Sequence, residues 1–168
     1  LISAIFLMNS YDTTGTYKEL QAKDINVMTA ARIVQIDATL WDNASQMAMA
    51  KAFVAKSDED KQRSINELFY RVDRSIALKG DRASQHSLKA RGYVLLRDEQ
   101  NYRLSLEKAV SLAPFNTYSE RLALASYYFN INKYDELKGL AFSTYEINKD
   151  YFGTVYAAND PEQGKKYT

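Results

Sequence analysis

An internal repeat limits the folds that are open to this chain of 168 residues. Residues 93–112 align with residues 128–147 at a constant offset of 35, and residues 73–78 align with residues 107–112 at an offset of 34. Apolar side chains in these segments recur at steps of three and four residues, which predicts about two helices in each period. A period of this length with two helices predicts an array of stacked helical hairpins.

Helical periodicity continues over most of the chain, and no pair of strands is predicted. Connections between the predicted helices are short, so neighbours in the sequence should lie antiparallel. We therefore predict an all-α fold of antiparallel helical hairpins, about seven helices in all, stacked as a short right-handed superhelix. The predicted helices cover residues 17–36, 43–56, 58–79, 84–97, 102–112, 118–130 and 135–148.

Residues typical of helix ends support these boundaries. Thr16 with Glu19, and Thr117 with Glu120, match the capping box, in which a hydroxyl and a carboxylate three residues later each cap a backbone amide. The remaining boundary residues are the predicted N-caps Asp42 and Ser57 and the C-terminal stop Gly80. Trp41 is predicted to be a core anchor between two helices.

The composition excludes several kinds of chemistry. The chain has no Cys, which rules out disulfides, thiolate metal sites and cysteine nucleophiles, and its single His, His86, rules out a histidine-rich metal cage. With 22 Lys and Arg against 21 Asp and Glu, the net charge of +1 offers no argument for binding nucleic acid. No phosphate-binding glycine loop or hydrolase motif occurs. We therefore predict no catalytic, cofactor-binding or metal-binding residues, and His86 is assigned a surface or capping role.

The two ends differ from the helical middle. Residues 1–8 (LISAIFLM) are apolar, but eight helical residues span about 12 Å against the roughly 30 Å of a bilayer core. This run is interpreted as a buried helix turn, the end of a transmembrane helix, or the remnant of a signal sequence. The predicted organisation is an apolar lead-in and turn (1–15), a non-consensus helical region (16–80), two repeats (81–150) and a polar C-terminal tail (151–168).

The two repeats resemble the tetratricopeptide repeat (TPR) family. In EKAVSLAPFN (107–116), Ala109 stands at the small position of a second helix, and Pro114 stands at the terminating proline. In ASYYFNINKYDEL (125–137), Tyr128 is the packing aromatic, and Ala125 stands where close helix approach demands a small residue. The resemblance implies a TPR-like fold that binds a protein or peptide.

The sequence also departs from the TPR family at several positions. Leu137 and Thr144 stand where the family prefers alanine, and Asn132 takes the place of the usual turn glycine. The match at residues 73–78 covers only a second helix. The resemblance is therefore confined to the C-terminal half, and the first 80 residues are helical but not in consensus.

In the register of the repeats, the concave surface is lined by residues of each first helix that lie between the packing positions. Arg91 is the most informative of these, because an arginine in a groove pairs with a carboxylate or phosphate; the other interpretation is a solvent-facing helical arginine. Most of the 13 Tyr are predicted to pack between helices, and some to line the groove. The candidate groove-binding residues are Ser84, Ser87, Arg91, Ser119, Leu122, Ser126 and Phe129.

The layout of the chain also resembles the C-terminal region of the O-antigen ligase and polymerase family, which includes the pilin oligosaccharyltransferases. The segments that carry this resemblance are LISAIFLMNSYDTTGTY (1–17) and SLEKAVSLAPFNTYSERLALASYYFNINKYDEL (105–137). It implies a non-catalytic accessory domain, periplasmic and tethered to the inner membrane upstream of Leu1, that positions a glycan acceptor or protein partner. Catalysis in that family belongs to the membrane-embedded part.

A second hypothesis is a free-standing, soluble TPR adaptor in the cytoplasm that binds a peptide or chaperone tail. It predicts that residues 1–8 pack inside the fold and that the fold has a basic groove. A third, a small helical enzyme, is disfavoured because the sequence contains almost no catalytic side chains in a recognisable pattern.

Overall fold

The computed structural model describes residues 12–34 and 37–159, with side chains described up to Lys149. This part of the chain contains seven α-helices and no β-strand, which confirms the predicted all-α class. The helices are α1 (Tyr17–Ile33), α2 (Ala38–Val54), α3 (Asp58–Lys79), α4 (Ala83–Leu96), α5 (Glu99–Leu112), α6 (Tyr118–Asn130) and α7 (Tyr134–Asn159).

Three predicted helix ends are confirmed by their hydrogen bonds. Thr16 accepts from the Glu19 backbone amide at 3.4 Å, and the Glu19 carboxylate accepts from the Thr16 amide at 2.8 Å, so the first capping box is complete. Ser57 accepts from the Asp60 amide at 3.1 Å at the start of α3. Gly80 ends α3 with a φ of 79°, a left-handed conformation that favours glycine.

The predicted start of α2 at Asn43 is wrong. The helix begins at Ala38 with Asp37 as its N-cap, and the Asp37 carboxylate accepts from the Thr39 amide at 2.8 Å. Asp42 lies inside α2, and its carboxylate binds side chains from outside this helix instead of capping the local backbone. Trp41 also lies within α2 rather than between helices, although it is buried as predicted.

The second predicted capping box does not form. Thr117 is the N-cap residue of α6, but its hydroxyl donates to the Ala113 carbonyl at 2.8 Å and does not cap the helix. α5 begins at Glu99 instead of Tyr102, because the Asp98 carboxylate accepts from the Asn101 amide at 3.0 Å and caps the helix earlier. The Asn101 side chain also donates to the Asp98 carboxylate at 2.7 Å, and this bond, together with the one from the Asn101 amide, lowers the pKa of the Asp98 carboxyl.

α7 extends beyond its predicted end at Asn148. Lys149 stands where the TPR family has a terminating proline, and unlike proline it supplies a backbone N–H that lets the helix continue. The predicted tail is therefore helical up to Asn159, and residues 160–168 lie outside the described part of the chain. Residues 35 and 36 at the predicted end of the first helix also lie outside it, and α1 ends at Ile33.

The two C-terminal hairpins are related by a constant offset of 35 residues. α4 and α6 start at Ala83 and Tyr118, and α5 and α7 start at Glu99 and Tyr134. The turn within each hairpin contains one left-handed residue, Arg97 or Asn132, each with a φ of 58°.

Backbone hydrogen bonds in the two turns repeat at the same offset. Asp98 donates to the Tyr93 carbonyl at 3.0 Å, and Lys133 donates to the Tyr128 carbonyl at 2.8 Å. This six-to-one bond after a left-handed residue is the Schellman helix ending. The Asn132 turn is sterically less costly than the Arg97 turn, since asparagine tolerates the left-handed region better than most residues. The predicted repeat register is therefore present in the backbone.

The chain forms two compact units, the first ending at Ser105 and the second beginning at Leu106. In the first unit, α2 packs against α1 and α3, and α4 packs against α3. The small residues Ala44, Ala48 and Ala52 are fully buried on α2 and let neighbouring backbones approach closely. The larger core side chains of this unit are Leu20, Leu40, Met47, Ile65, Leu68 and Val72.

In the second unit, α6 packs against α7. Its buried apolar residues are Leu106 and Ala109 of α5 together with Leu124 and Tyr128 of α6. Over the described ranges, no helix has the length and apolar character needed to cross a lipid bilayer. The apolar run at residues 1–8 lies outside those ranges.

Candidate functional site

Four charged side chains join α1, α2 and α3 inside the first unit. The Asp24 carboxylate accepts from Lys51 at 2.7 Å and from both terminal nitrogens of Arg71 at 2.6 and 2.8 Å. Glu67 accepts from the same two cations at 2.6 and 2.9 Å. Arg71 also donates to the Ala44 carbonyl at 2.8 Å. Two acids and two bases thus form a charge-balanced network, which we call the buried ion cluster.

The buried ion cluster holds Asp24 in its ionised form. Burial of the carboxyl raises its pKa, but hydrogen bonds and positive charges from Arg71 and Lys51 outweigh burial and hold the pKa below its ordinary value. Asp24, Lys51 and Arg71 are all buried, and only Glu67 reaches solvent. The cluster is therefore a structural contact between three helices, and the sequence patterns did not reveal it.

A second polar cluster, also within the first unit, joins the start of α4 to α2 and α3. Ser75 donates to Asp42 at 2.6 Å, Arg82 pairs with Asp42 at 2.8 Å, and Gln85 donates to Ser75 at 2.9 Å. Residues from α2, α3 and α4 therefore share one hydrogen-bonded network. This network positions the helix that carries the first set of candidate groove residues.

The first set of candidate residues lies on α4. Ser84 and Arg91 are exposed, and Ser87 is half-buried, with its hydroxyl donating to the Ala83 carbonyl at 3.0 Å. At about 100° per residue, Ser84 and Arg91 lie within about 20° of each other on the helix surface. The guanidinium of Arg91 has no ion pair with any residue that the structure describes. It is therefore available to an anionic partner.

The second set lies on α6 and is more apolar. Leu122 is 53% exposed and Phe129 61% exposed, and Ser119 and Ser126 are exposed beside them. Tyr118, which is 62% exposed, lies on the same face, since positions 118, 122 and 129 fall within an arc of about 40°. We call Tyr118, Leu122 and Phe129 the α6 stripe. The Phe129 ring also meets the Tyr134 ring edge-on, with centroids 6.4 Å apart.

A different face of α6 forms its contacts inside the second unit. Leu124 and Tyr128 are buried there, and the Tyr128 hydroxyl donates to Glu107 at 2.5 Å. Arg121 donates to the hydroxyls of Ser143 and Thr144 on α7, both at 3.1 Å. A surface helix usually carries apolar residues on its packed face and polar residues on its exposed face. α6 is unusual because large apolar residues occupy both.

His86 lies near the start of α4, next to Asp81. Its Nε2 atom is 3.2 Å from an Asp81 carboxylate oxygen. Across the described residues, no group of three His, Cys, Asp or Glu side chains is placed to hold a metal ion.

Comparison with protein-family models produced no match, and comparison with curated protein sequences produced none either. Comparison with solved structures found a crystal structure of a thermophilic TPR protein from Thermus thermophilus. The similarity has a TM-score of 0.61 at 17% sequence identity, and it covers 89% of this chain and 72% of that protein. The fold of the chain is therefore all-α and TPR-like, built from helical hairpins.

Proposed function

We propose that the chain is a non-catalytic protein-interaction scaffold, and that the α6 stripe binds an apolar segment of a partner protein. The observation that carries the proposal is the second apolar face of α6, whose three large side chains are each more than half exposed. Exposed apolar residues that share one helix face are typical of interaction sites. The TPR-like fold supports the same conclusion, since stacked helical hairpins present extended binding surfaces.

The chemistry of the stripe favours an amphipathic helix as its occupant. Positions 118 to 129 span about 16 Å along the helix axis, which is the length of about three helical turns. A partner helix with apolar residues three and four positions apart would match this spacing. Ser119 and Ser126 lie along one side of the stripe without charge, so the partner needs no particular charge on that side of its apolar face.

We propose a second contact for the candidate residues of α4. The exposed Arg91 guanidinium would bind a carboxylate of the partner, since its planar fork matches carboxylate geometry. Ser84 lies on the same side of the helix and would donate to a polar group near that carboxylate, whereas the Ser87 hydroxyl already donates to the Ala83 carbonyl and would accept a hydrogen bond from the partner.

A designed peptide pair tests the α6 stripe. We expect a fluorescently labelled, uncharged helical peptide with leucines at every third or fourth position to bind the protein, measured by fluorescence anisotropy. Leu122→Glu and Phe129→Glu should each weaken binding by roughly tenfold or more, because each removes an apolar contact worth about 1.5–3 kcal/mol. Their melting temperatures should stay close to that of the wild type, since both positions are exposed.

Two controls make the result specific. A peptide of the same composition with its leucines scattered around the helix should bind much more weakly. Ile25→Glu, at an exposed apolar position of α1, should leave binding unchanged. Equal binding of both peptides, or full binding by the Leu122 and Phe129 variants, would contradict the proposal.

We also propose a more specific hypothesis, in which this scaffold lies in the periplasm. There it would be the exported accessory domain of a membrane-bound glycan ligase or oligosaccharyltransferase, and it would position an acceptor. This hypothesis rests on the resemblance of residues 1–17 and 105–137 alone. Coding sequence for a protein with many membrane spans, in frame before Leu1, would support it. A start codon immediately before Leu1 would favour the free-standing cytoplasmic adaptor instead.

A further inference from the structure

The first unit also contains a cleft whose lining residues belong to none of the surfaces described above. It has a volume of about 190 Å³ and is lined by side chains from α1, α2 and α3. α1 and α3 each contribute a pair four residues apart, which places both members of a pair on one helix face. The lining residues are Met28, Arg32, Trp41, Tyr70 and Arg74.

The lining combines positive charge with aromatic surface. Arg32 and Arg74 are both exposed, and neither guanidinium has an ion pair with a residue in the described ranges. Among the described residues that line the cleft none is acidic, so the two positive charges have no counterion among them. A small anion would relieve this imbalance, and guanidinium groups bind carboxylate and phosphate through paired hydrogen bonds.

Trp41 contacts two of the other residues that line the cleft. The Arg74 guanidinium lies 5.6 Å from the centre of the Trp41 ring, and the Tyr70 ring meets it edge-on with centroids 6.2 Å apart. These contacts hold an arginine and an aromatic ring in place before any ligand arrives. The indole N–H of Trp41 is buried and has no hydrogen-bond acceptor among the described residues. Buried donors are rarely left without an acceptor.

We propose that this cleft binds a small anion in which a carboxylate or phosphate is joined to an aromatic or aliphatic group. Arg32 and Arg74 bind the anionic oxygens, and Met28 and Tyr70 contact the apolar part. This chemistry disfavours cations, because the charged side chains among the described lining residues are both arginines. This site does not depend on the scaffold proposal, since the α6 stripe belongs to the second unit and can fail or succeed separately.

The single tryptophan of the chain makes the cleft directly observable. In ¹⁵N-labelled protein, only Trp41 produces an indole N–H resonance, so this signal is assigned without ambiguity to a residue that lines the cleft. Benzoate and phenyl phosphate are titrated as ligands that combine charge with a ring. Benzyl alcohol, which lacks the charge, and inorganic phosphate, which lacks the ring, are the matched probes.

We expect a saturable shift of the Trp41 indole signal with benzoate, phenyl phosphate or both. Which of the two binds more tightly identifies the preferred anionic group. Benzyl alcohol and inorganic phosphate should bind roughly tenfold or more weakly, because each lacks one half of the recognised chemistry. Arg32→Gln should weaken binding of the better ligand by a similar factor, since hydrogen bonds to charged groups are strong.

Arg63→Gln is the control variant for charge. It removes one positive charge from an exposed position of α3 that does not line the cleft, so ligand binding should be unchanged. The proposal is overturned if neither anion produces a saturable shift, or if benzyl alcohol binds as tightly as the better anion. Unchanged binding by Arg32→Gln with a native-like spectrum would overturn it as well.

Discussion

Asp24→Asn should lower the free energy of unfolding by about 3–5 kcal/mol. The substitution keeps the shape of the side chain but removes the negative charge that neutralises Lys51 and Arg71 in the interior. Both cations are buried, and Glu67 alone supplies one negative charge against their two. An uncompensated buried charge is among the most costly changes a folded protein can undergo.

Urea denaturation followed by circular dichroism measures this loss. Asp58→Asn is the matched control, because the Asp58 side chain is exposed and its pairing with Lys61 is weak at 3.5 Å. The control should change stability by less than about 0.5 kcal/mol. If Asp24→Asn were as mild as the control, the buried ion cluster would contribute nothing to holding α1 on α2 and α3.

The same cluster makes the stability depend on acid. The pKa of Asp24 is lower in the folded chain than its ordinary value, so the folded state favours the ionised carboxylate. Its contribution is fully present above the ordinary pKa of about 4 and is lost as the pH falls through the lower folded pKa. Below pH 4, the wild type should therefore lose more stability than Asp24→Asn, and the two unfolding curves should converge.

The repeat register and most helix ends follow from local sequence rules. The offset of 35 residues relates the starts of α4 and α6, and it also relates the left-handed residues Arg97 and Asn132. Caps such as Ser57 and Gly80 depend only on atoms a few residues away, so the sequence is sufficient to identify them. Leu122 and Phe129 are exposed on α6, and the groove that the register assigns to them stays a prediction.

Contacts between distant helices do not follow from such rules. Asp24 lies 27 positions from Lys51 and 47 from Arg71, and each residue alone resembles an ordinary surface charge. The prediction that Asp42 starts a helix is wrong for the same reason, since the same carboxylate can cap a helix or bind a side chain of another helix. The cleft around Trp41 forms where three helices meet, and the periodicity of apolar residues within one helix does not predict such a meeting.

Leu68→Ala should destabilise the chain by about 2–5 kcal/mol, the cost of removing a fully buried leucine and leaving a cavity. Leu68 is 0% exposed in the first unit, where it packs with Met49, Val72 and Leu88. The close approach of α4 at Gly92 limits how far this site can relax, because an added Cβ there would lie 3.0 Å from Leu68. Thermal unfolding of the variant measures the effect.

Leu122→Ala makes the same chemical change on the α6 stripe, but it should leave the stability of the fold almost unchanged. Because Leu122 is 53% exposed, its truncation should cost less than about 0.5 kcal/mol of stability while weakening binding of the designed peptide. A stability loss as large as that of Leu68→Ala would mean that the folded chain covers the α6 stripe and that no partner can reach it. Comparison of the two variants therefore distinguishes a leucine that stabilises the fold from a leucine that is available to bind a partner.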